Sequence, residues 1–121
     1  MTIGVFTDFR NDKFIFLYKE ILKKNKLVFI GQKKYILSIK KKISNKNAKY
    51  CIFNTIVSNN LNINQNSILS FVVNFFIILK NFCFSYYFLN TNNIKTLLVS
   101  DDRSPDILLW LIKLSKKKKL K

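Results

Sequence analysis

The chain contains no histidine, so the side chain that most often serves as a general base or a metal ligand is absent. Two cysteines, Cys51 and Cys83, are too few for a zinc site, which needs more nitrogen or sulfur ligands. Two glycines, Gly4 and Gly31, form neither the Walker spacing nor the dinucleotide-binding fingerprint. We therefore expect no cofactor, no bound metal, no small-molecule substrate and no catalytic activity.

Alanine and proline are also scarce, since Ala48 and Pro105 are the single examples, whereas lysine, asparagine, isoleucine and phenylalanine abound. The scarce residues have GC-rich codons, so the composition indicates a very AT-rich genome, most often that of an organelle. Residues 1–16 resemble neither a secretory signal nor an arginine-rich transit peptide. We expect a protein encoded in a mitochondrion, with a plastid-type organelle as the alternative. Both cysteines lie in apolar stretches, which predicts buried, reduced thiols.

Acidic residues are the third scarce group, because six acids face 22 lysines and arginines and leave a formal net charge of +16. Such an excess opposes folding through self-repulsion and indicates a polyanionic partner, either nucleic acid or an anionic membrane surface. Only Arg10 and Arg103 are arginines. Lysine is a point charge that suits phosphates better than base edges, so the charge favours contact with a nucleic-acid backbone.

The first half of the chain alternates between helical and strand-like patterns. Residues 12–24 place apolar side chains at helical spacing, and residues 26–30 form a short apolar run that ends at Gly31. Basic residues then surround Ile36, Ile39 and Ile43 at helical spacing, before a second apolar run over 50–56. A strand, a basic helix and a second strand predict a parallel sheet.

The second half is less regular. The apolar segment 68–79 predicts a helix buried in the core, with a short membrane anchor as the alternative, and residues 84–89 predict a further strand. Residues 96–100 predict another strand. Ser104 and Pro105 then suit the cap and first turn of a helix with a strongly basic C-terminal end. We expect one α/β domain over 1–121 with a basic tail at 115–121.

Lysines beside the predicted helices, together with both arginines, are the candidate contacts to RNA phosphates. At Lys33 and Lys34, phosphate binding by the start of a helix and an ordinary solvated helix start both remain open. Asp101 and Asp102 supply too few oxygens for a metal site and are expected to pair with Arg103. The candidate RNA-binding residues are Arg10, Lys33, Lys34, Lys40, Lys41, Lys42, Lys46, Arg103, Lys116, Lys117, Lys118 and Lys119.

Two junctions resemble the family of small-subunit ribosomal protein S-two. That family has a strand close to K-I-L-F-V-G-T-K between two helices, and this chain has K-L-V-F-I-G-Q-K over Lys26–Lys33. The family also has L-F-V-I-D-P-R before a helix, where this chain has L-L-V-S-D-D-R over Leu97–Arg103. The family's Trp-Leu-Gly-Gly motif is missing between them. The resemblance implies a Rossmann-like three-layer domain, with a small, mostly parallel sheet flanked by helices, that binds small-subunit ribosomal RNA.

We therefore expect a structural constituent of the mitochondrial small ribosomal subunit. Its partners are expected to be small-subunit ribosomal RNA, held by lysine–phosphate contacts, and the neighbouring small-subunit proteins. A membrane partner is not expected, because the segment 68–79 is assigned to the core. The alternative is a small subunit of an organellar membrane complex, anchored by residues 68–79.

Overall fold

The computed structural model describes residues 1–8, 11–53, 67–99 and 106–119, and its centre is a four-stranded sheet. The strands are β1 (Thr2–Thr7), β2 (Lys26–Gly31), β3 (Ala48–Ile52) and β4 (Thr96–Leu98). They lie in the order β3-β2-β1-β4, and every pair of neighbours is parallel. Parallel pairing requires a crossover between consecutive strands, and a helix occupies each crossover.

The helices lie between and after the strands in chain order. A 3₁₀ turn at Asn11–Phe14 leads into α1 (Ile15–Leu22), and the remaining helices are α2 (Lys33–Lys42), α3 (Ser67–Thr91) and α4 (Asp106–Lys117). In α2 the buried residues are Ile36 and Ile39, spaced as one face of a helix requires, and the lysines lie on the exposed side.

Side chains of β1 and β2 alternate between two cores, one on each face of the sheet. Ile3, Val5, Leu27 and Phe29 pack with Tyr18 and Leu22 of α1 and with Ile36, Ile39 and Ile43 in and after α2. Phe6, Val28 and Ile30 face the other way and pack with Phe88 and Leu89 of α3 and with Leu111 and Leu114 of α4. The protein is therefore a three-layer α/β fold, and its strand order is that of the first four strands of the doubly wound Rossmann arrangement.

The N-terminal strand was not predicted from the sequence. The first element predicted from the sequence begins at residue 12, yet Thr2–Thr7 is the inner strand that pairs with both β2 and β4. The short run T-I-G-V-F-T contains Thr and Gly4, which dilute its apolar signal. Gly4 leaves little room for a side chain, because a Cβ on it would lie 3.1 Å from Ile94 Cγ2 and 3.3 Å from a ring carbon of Phe88.

Two predictions for the second half were wrong. Residues 84–89 are not a strand but continue α3. The helix at 68–79 exists but is not buried, because only the second half of α3 packs against the sheet and α4. Its large apolar side chains remain exposed along one side, and we call this surface the apolar stripe: Ile68, Leu69, Phe71, Val72, Phe75, Phe76, Ile78, Leu79, Tyr86 and Tyr87.

The other elements agree closely with the sequence. The helix expected at 12–24 is the 3₁₀ turn followed by α1, and the strands expected at 50–56 and 96–100 are β3 and β4 with shifted bounds. The predicted cap at Ser104 and Pro105 and the loop of Asp101 and Asp102 lie outside the described residues. The basic tail expected at 115–121 begins inside α4, where Ser115 is buried and donates a hydrogen bond to the carbonyl of Leu111 over 2.6 Å.

Both cysteines are free thiols, but the predicted burial holds only in part. Cys51, in β3, is half-buried, whereas Cys83 is exposed on α3. Burial raises the pKa of the Cys51 thiol, and the nearby charge of Lys49 opposes that change. Cys83 lies at the edge of the unpartnered part of α3, so its predicted burial was wrong for the same reason as that of residues 68–79.

Gly31 marks the closest approach of β1 and β2. It lies in register with Thr7, whose hydroxyl donates a hydrogen bond to the carbonyl of Ile30 over 3.0 Å. A Cβ on Gly31 would lie 1.9 Å from Thr7 Oγ1 and 2.8 Å from the Thr7 carbonyl oxygen. No real Cβ tolerates such distances, so a side chain here must push the two central strands apart.

We expect Gly31→Ala to lower the free energy of unfolding by about 1–3 kcal/mol, the usual cost of overpacking a well-packed site. Removing the hydroxyl in the double variant Thr7→Ala/Gly31→Ala relieves the shorter contact, so part of the stability is recovered. Urea denaturation followed by circular dichroism measures both effects. Equal stability of Gly31→Ala and the wild type would contradict this packing.

Candidate nucleic-acid interface

Several lysines lie at the edge of the sheet where the parallel strands begin. We call this edge the amino edge. Each helix that follows a strand runs back toward this edge, so its C-terminal end lies there. Helix C-termini favour cations because the helix dipole is negative at that end. Accordingly α2 ends with Lys40–Lys42 and α4 ends with Lys116 and Lys117. Dipole preference and topology together concentrate positive charge on one side of the molecule.

An open cleft of about 420 Å³ lies at the amino edge, between the first residues of the strands and the end of α3. Three lysines line it, from the start of β2, the turn before β3 and β3 itself, together with amide side chains and two threonines. We call it the amino-edge cleft, and its main polar residues are Lys26, Lys46, Lys49, Asn47, Asn92 and Asn93. Within the part of the chain that the structure describes, no acidic side chain lines this cleft.

Asn92 holds one of the cleft lysines in place. Its side-chain oxygen accepts a hydrogen bond from Lys49 Nζ over 2.8 Å, and its amide nitrogen donates to the carbonyl of Phe88 over 2.9 Å. Phe88 belongs to the buried core, so the amide is fixed to the end of α3. Asn93 follows in a left-handed conformation with φ 49°, which turns the chain toward β4.

A smaller depression of about 280 Å³ adjoins the amino-edge cleft and shares Lys46 with it. Lys40, Ser44 and Asn45 also line it, and Tyr50 forms one wall. The Tyr50 hydroxyl donates a hydrogen bond to the carbonyl of Ile43 over 2.7 Å, and burial raises its pKa. Lys40 and Lys46 are thus two of the predicted RNA-binding residues that the structure brings together.

The lysines at the end of α4 lie beside the end of α3, which lines the amino-edge cleft. Lys118 Nζ donates a hydrogen bond to the side-chain oxygen of Asn90 and lies 5.8 Å from the centroid of the Tyr86 ring. Asn90 lies in the C-terminal end of α3, shortly before the cleft residue Asn92. Lys116, Lys117 and Lys119 are exposed beside Lys118.

The remaining predicted residues are placed differently. Lys33 and Lys34 begin α2 after the carboxyl end of β2, at the opposite edge of the sheet, and Lys34 Nζ lies 4.7 Å from the Tyr35 ring centroid. Lys42 forms an ion pair of 2.6 Å with Asp12, which neutralises part of its charge. Lys41 is exposed. Arg10 and Arg103 lie outside the described residues.

Lys26, Lys49 and the asparagines of the cleft were not predicted from the sequence. Both lysines lie at the start of predicted strands, whereas the signal used was position beside a predicted helix. A better signal was the position of each lysine in its strand. Lys26 is the first residue of β2 and Lys49 is the second residue of β3, and neighbouring parallel strands begin at the same edge of the sheet. The asparagines after α3 could not be placed, since residues 84–89 were assigned to a strand.

The described residues hold no group of three or more His, Cys, Asp or Glu side chains that could bind a metal ion. No protein-family model, no curated protein and no solved structure matches the chain. The chemistry of the amino edge is therefore the basis for assigning a role. Its exposed ammonium groups and neutral amides suit an anion with many oxygen acceptors.

If Asn92 positions Lys49 for a bound phosphate, Asn92→Ala will weaken RNA binding by about two- to fivefold, because the ammonium no longer has its fixed acceptor. In a Lys49→Gln background the same substitution should have no further effect. Fluorescence anisotropy with a labelled RNA hairpin measures the four affinities of this double-mutant cycle. Equal weakening in both backgrounds would show that Asn92 does not act through Lys49.

Proposed function

We propose that the chain binds structural RNA through its amino edge and serves as a structural constituent of the mitochondrial small ribosomal subunit. The observation that carries the proposal is the amino-edge cleft, where Lys26, Lys46 and Lys49 converge without an acidic neighbour among the lining residues. A net charge of +16 supplies long-range attraction to a polyanion. The chain acts by binding, and no catalytic step belongs to this role.

The composition of the cleft favours the RNA backbone over the bases. Among the described lining residues the charged groups are lysines, which bind phosphate oxygens as point charges and cannot form the bidentate fork that arginine presents to guanine. These residues include no aromatic ring on which a base could stack. The amides of Asn47 and Asn93 are suited to hydrogen bonds with ribose hydroxyls, the groups that distinguish RNA from DNA.

The ribosomal part of the proposal rests on the resemblance to the S-two family. In support, Lys26–Gly31 is a strand followed directly by α2, and Thr96–Leu98 is a strand followed by α4, the order that the two resembling segments require. Lysine contacts to small-subunit ribosomal RNA would hold the chain in the particle, beside neighbouring small-subunit proteins. The mitochondrial location follows from the AT-rich composition and belongs to the same proposal.

The RNA contact is tested by Lys26→Gln/Lys49→Gln against the matched control Lys13→Gln/Lys19→Gln, which removes equal charge from the exposed side of the 3₁₀ turn and α1. For the cleft variant we expect affinity for an RNA hairpin to fall by about tenfold. The slope of log affinity against log salt should become shallower by about two, one for each phosphate that a lysine no longer neutralises. The control should keep the wild-type slope. Equal effects of both variants would leave only a diffuse charge attraction and refute the cleft as a site.

The ribosomal assignment has its own test. After detergent lysis of the organelle, which removes membranes, the tagged chain should sediment with small-subunit RNA in a sucrose gradient. Treatment with ribonuclease should move it toward the top, because its contacts to the particle are contacts to RNA. A chain that stays at the top before nuclease treatment would contradict a place in the ribosome while leaving RNA binding by the cleft intact.

A further inference from the structure

The apolar stripe of α3 forms a continuous surface along the helix. At 100° per residue its members fall within about half of the circumference, and from Ile68 to Tyr87 they extend about 28 Å along the axis. The opposite side of the helix carries Asn81, Ser85 and Phe88, which are buried in the domain. An exposed apolar surface of this length marks a contact with something other than water.

The charge of the chain decides which partner fits the stripe. A second copy would bring another +16 against the first, so pairing of two stripes is opposed by repulsion. An anionic lipid surface has the complementary charge and offers hydrocarbon beneath it. Lysines border the stripe, because exposed Lys80 lies on the same helix and Lys118 lies over the ring of Tyr86.

Aromatic side chains with polar groups occupy the C-terminal end of the stripe. Tyr86 and Tyr87 are exposed there, and Phe82 packs edge-on against Trp110 of α4 with ring centroids 5.2 Å apart. Lys113 Nζ lies 5.3 Å from the Trp110 ring centroid. Tyrosine, tryptophan and lysine together are the side chains that favour the level of lipid headgroups, where one end of each is apolar and the other is hydrated.

We propose that the apolar stripe of α3 lies in the surface layer of an anionic bilayer, with the helix axis parallel to the membrane and the bordering lysines on lipid phosphates. By length and composition residues 68–91 could span a membrane, with a mean hydropathy of 1.9 over the best window. The in-plane orientation is favoured because the C-terminal half of α3 packs into the domain, which leaves residues 68–80, about 20 Å of helix, to meet lipid. That length is too short to cross a hydrocarbon core of about 30 Å. The strands before and after α3 belong to the same sheet, so both ends of the helix must connect to one side of a membrane. If α3 spanned the bilayer, the polar segment 54–66, with its seven Asn and Gln residues, would have to cross back through the hydrocarbon.

A membrane partner was not expected from the sequence, and a membrane anchor at residues 68–79 was kept only as the alternative, because these residues were assigned to the core. Their exposure removes that reason. The inference is independent of RNA binding, since the amino-edge cleft contains none of the stripe residues. A ribosomal constituent with this stripe would hold its particle against a membrane.

The test compares Phe76→Asp in the stripe with Phe16→Asp on α1, on the other face of the sheet. Both phenylalanines are largely exposed, at 63% and 77%, and both substitutions change the net charge equally. The full chain is mixed with vesicles of phosphatidylglycerol and phosphatidylcholine, or of phosphatidylcholine alone, and bound protein is measured by flotation. We expect the wild type and Phe16→Asp to bind anionic vesicles, and Phe76→Asp to bind at least about tenfold more weakly. All three proteins should keep the same RNA affinity and circular dichroism spectrum.

Trp110, the single tryptophan, provides a second readout. Its fluorescence should be quenched by lipids brominated near the headgroup more strongly than by lipids brominated at the chain end, as in-plane binding requires. Equal binding of both variants would show attraction by charge alone and overturn the proposal. A wild type that ignores anionic vesicles would also overturn it, as would a dimer in sedimentation equilibrium that Phe76→Asp dissociates, because the stripe would then serve a second copy.

Discussion

Parallel pairing of β1 with both β2 and β4 is the constraint on which the rest of the molecule depends. A parallel neighbour can be reached only by a crossover, so each helix runs back toward the beginning of the strands. The helix dipole favours cations at the C-terminal ends, which all lie on that side. The positive amino edge is thus a consequence of strand direction acting on an ordinary preference of lysine, and it needs no separate motif in the sequence.

The elements predicted correctly from the sequence are those whose hydrophobic pattern along the chain is clear without knowledge of their tertiary contacts. The run from Lys26 to Ile30, closed by Gly31, defines β2 because both faces of that strand are covered and nearly every side chain is apolar. The triplet Ile36, Ile39 and Ile43 defines α2 by spacing. β1 was missed because Gly4 stands where a strand usually carries an apolar side chain. In the folded chain Phe88 and Ile94 pack closely against Gly4, and this contact cannot be seen in the local sequence.

The cleft and the exposure of α3 were not predicted, for different physical reasons. Lys26 and Lys49 are far apart in sequence and come together only through the register of β2 and β3, which pairs Val28 with Lys49. In α3 the apolar pattern is present on nearly all positions, so periodicity cannot say which side faces the domain. Ser85 is buried and Phe76 is exposed, so hydropathy alone does not decide which side chains of α3 are buried.

Lys118 connects the two proposed surfaces, since it contacts Asn90 near the amino-edge cleft and lies over Tyr86 at the end of the apolar stripe. From there the stripe runs along α3 away from the cleft, so a polynucleotide at the amino edge leaves the stripe uncovered. RNA and an anionic bilayer present the same chemical group, the phosphate, to the same kind of side chain. A chain with +16 charge and six acids can therefore be neutralised from two directions at once. Binding to RNA and binding to an anionic bilayer would each reduce the repulsion among the positive charges of the chain.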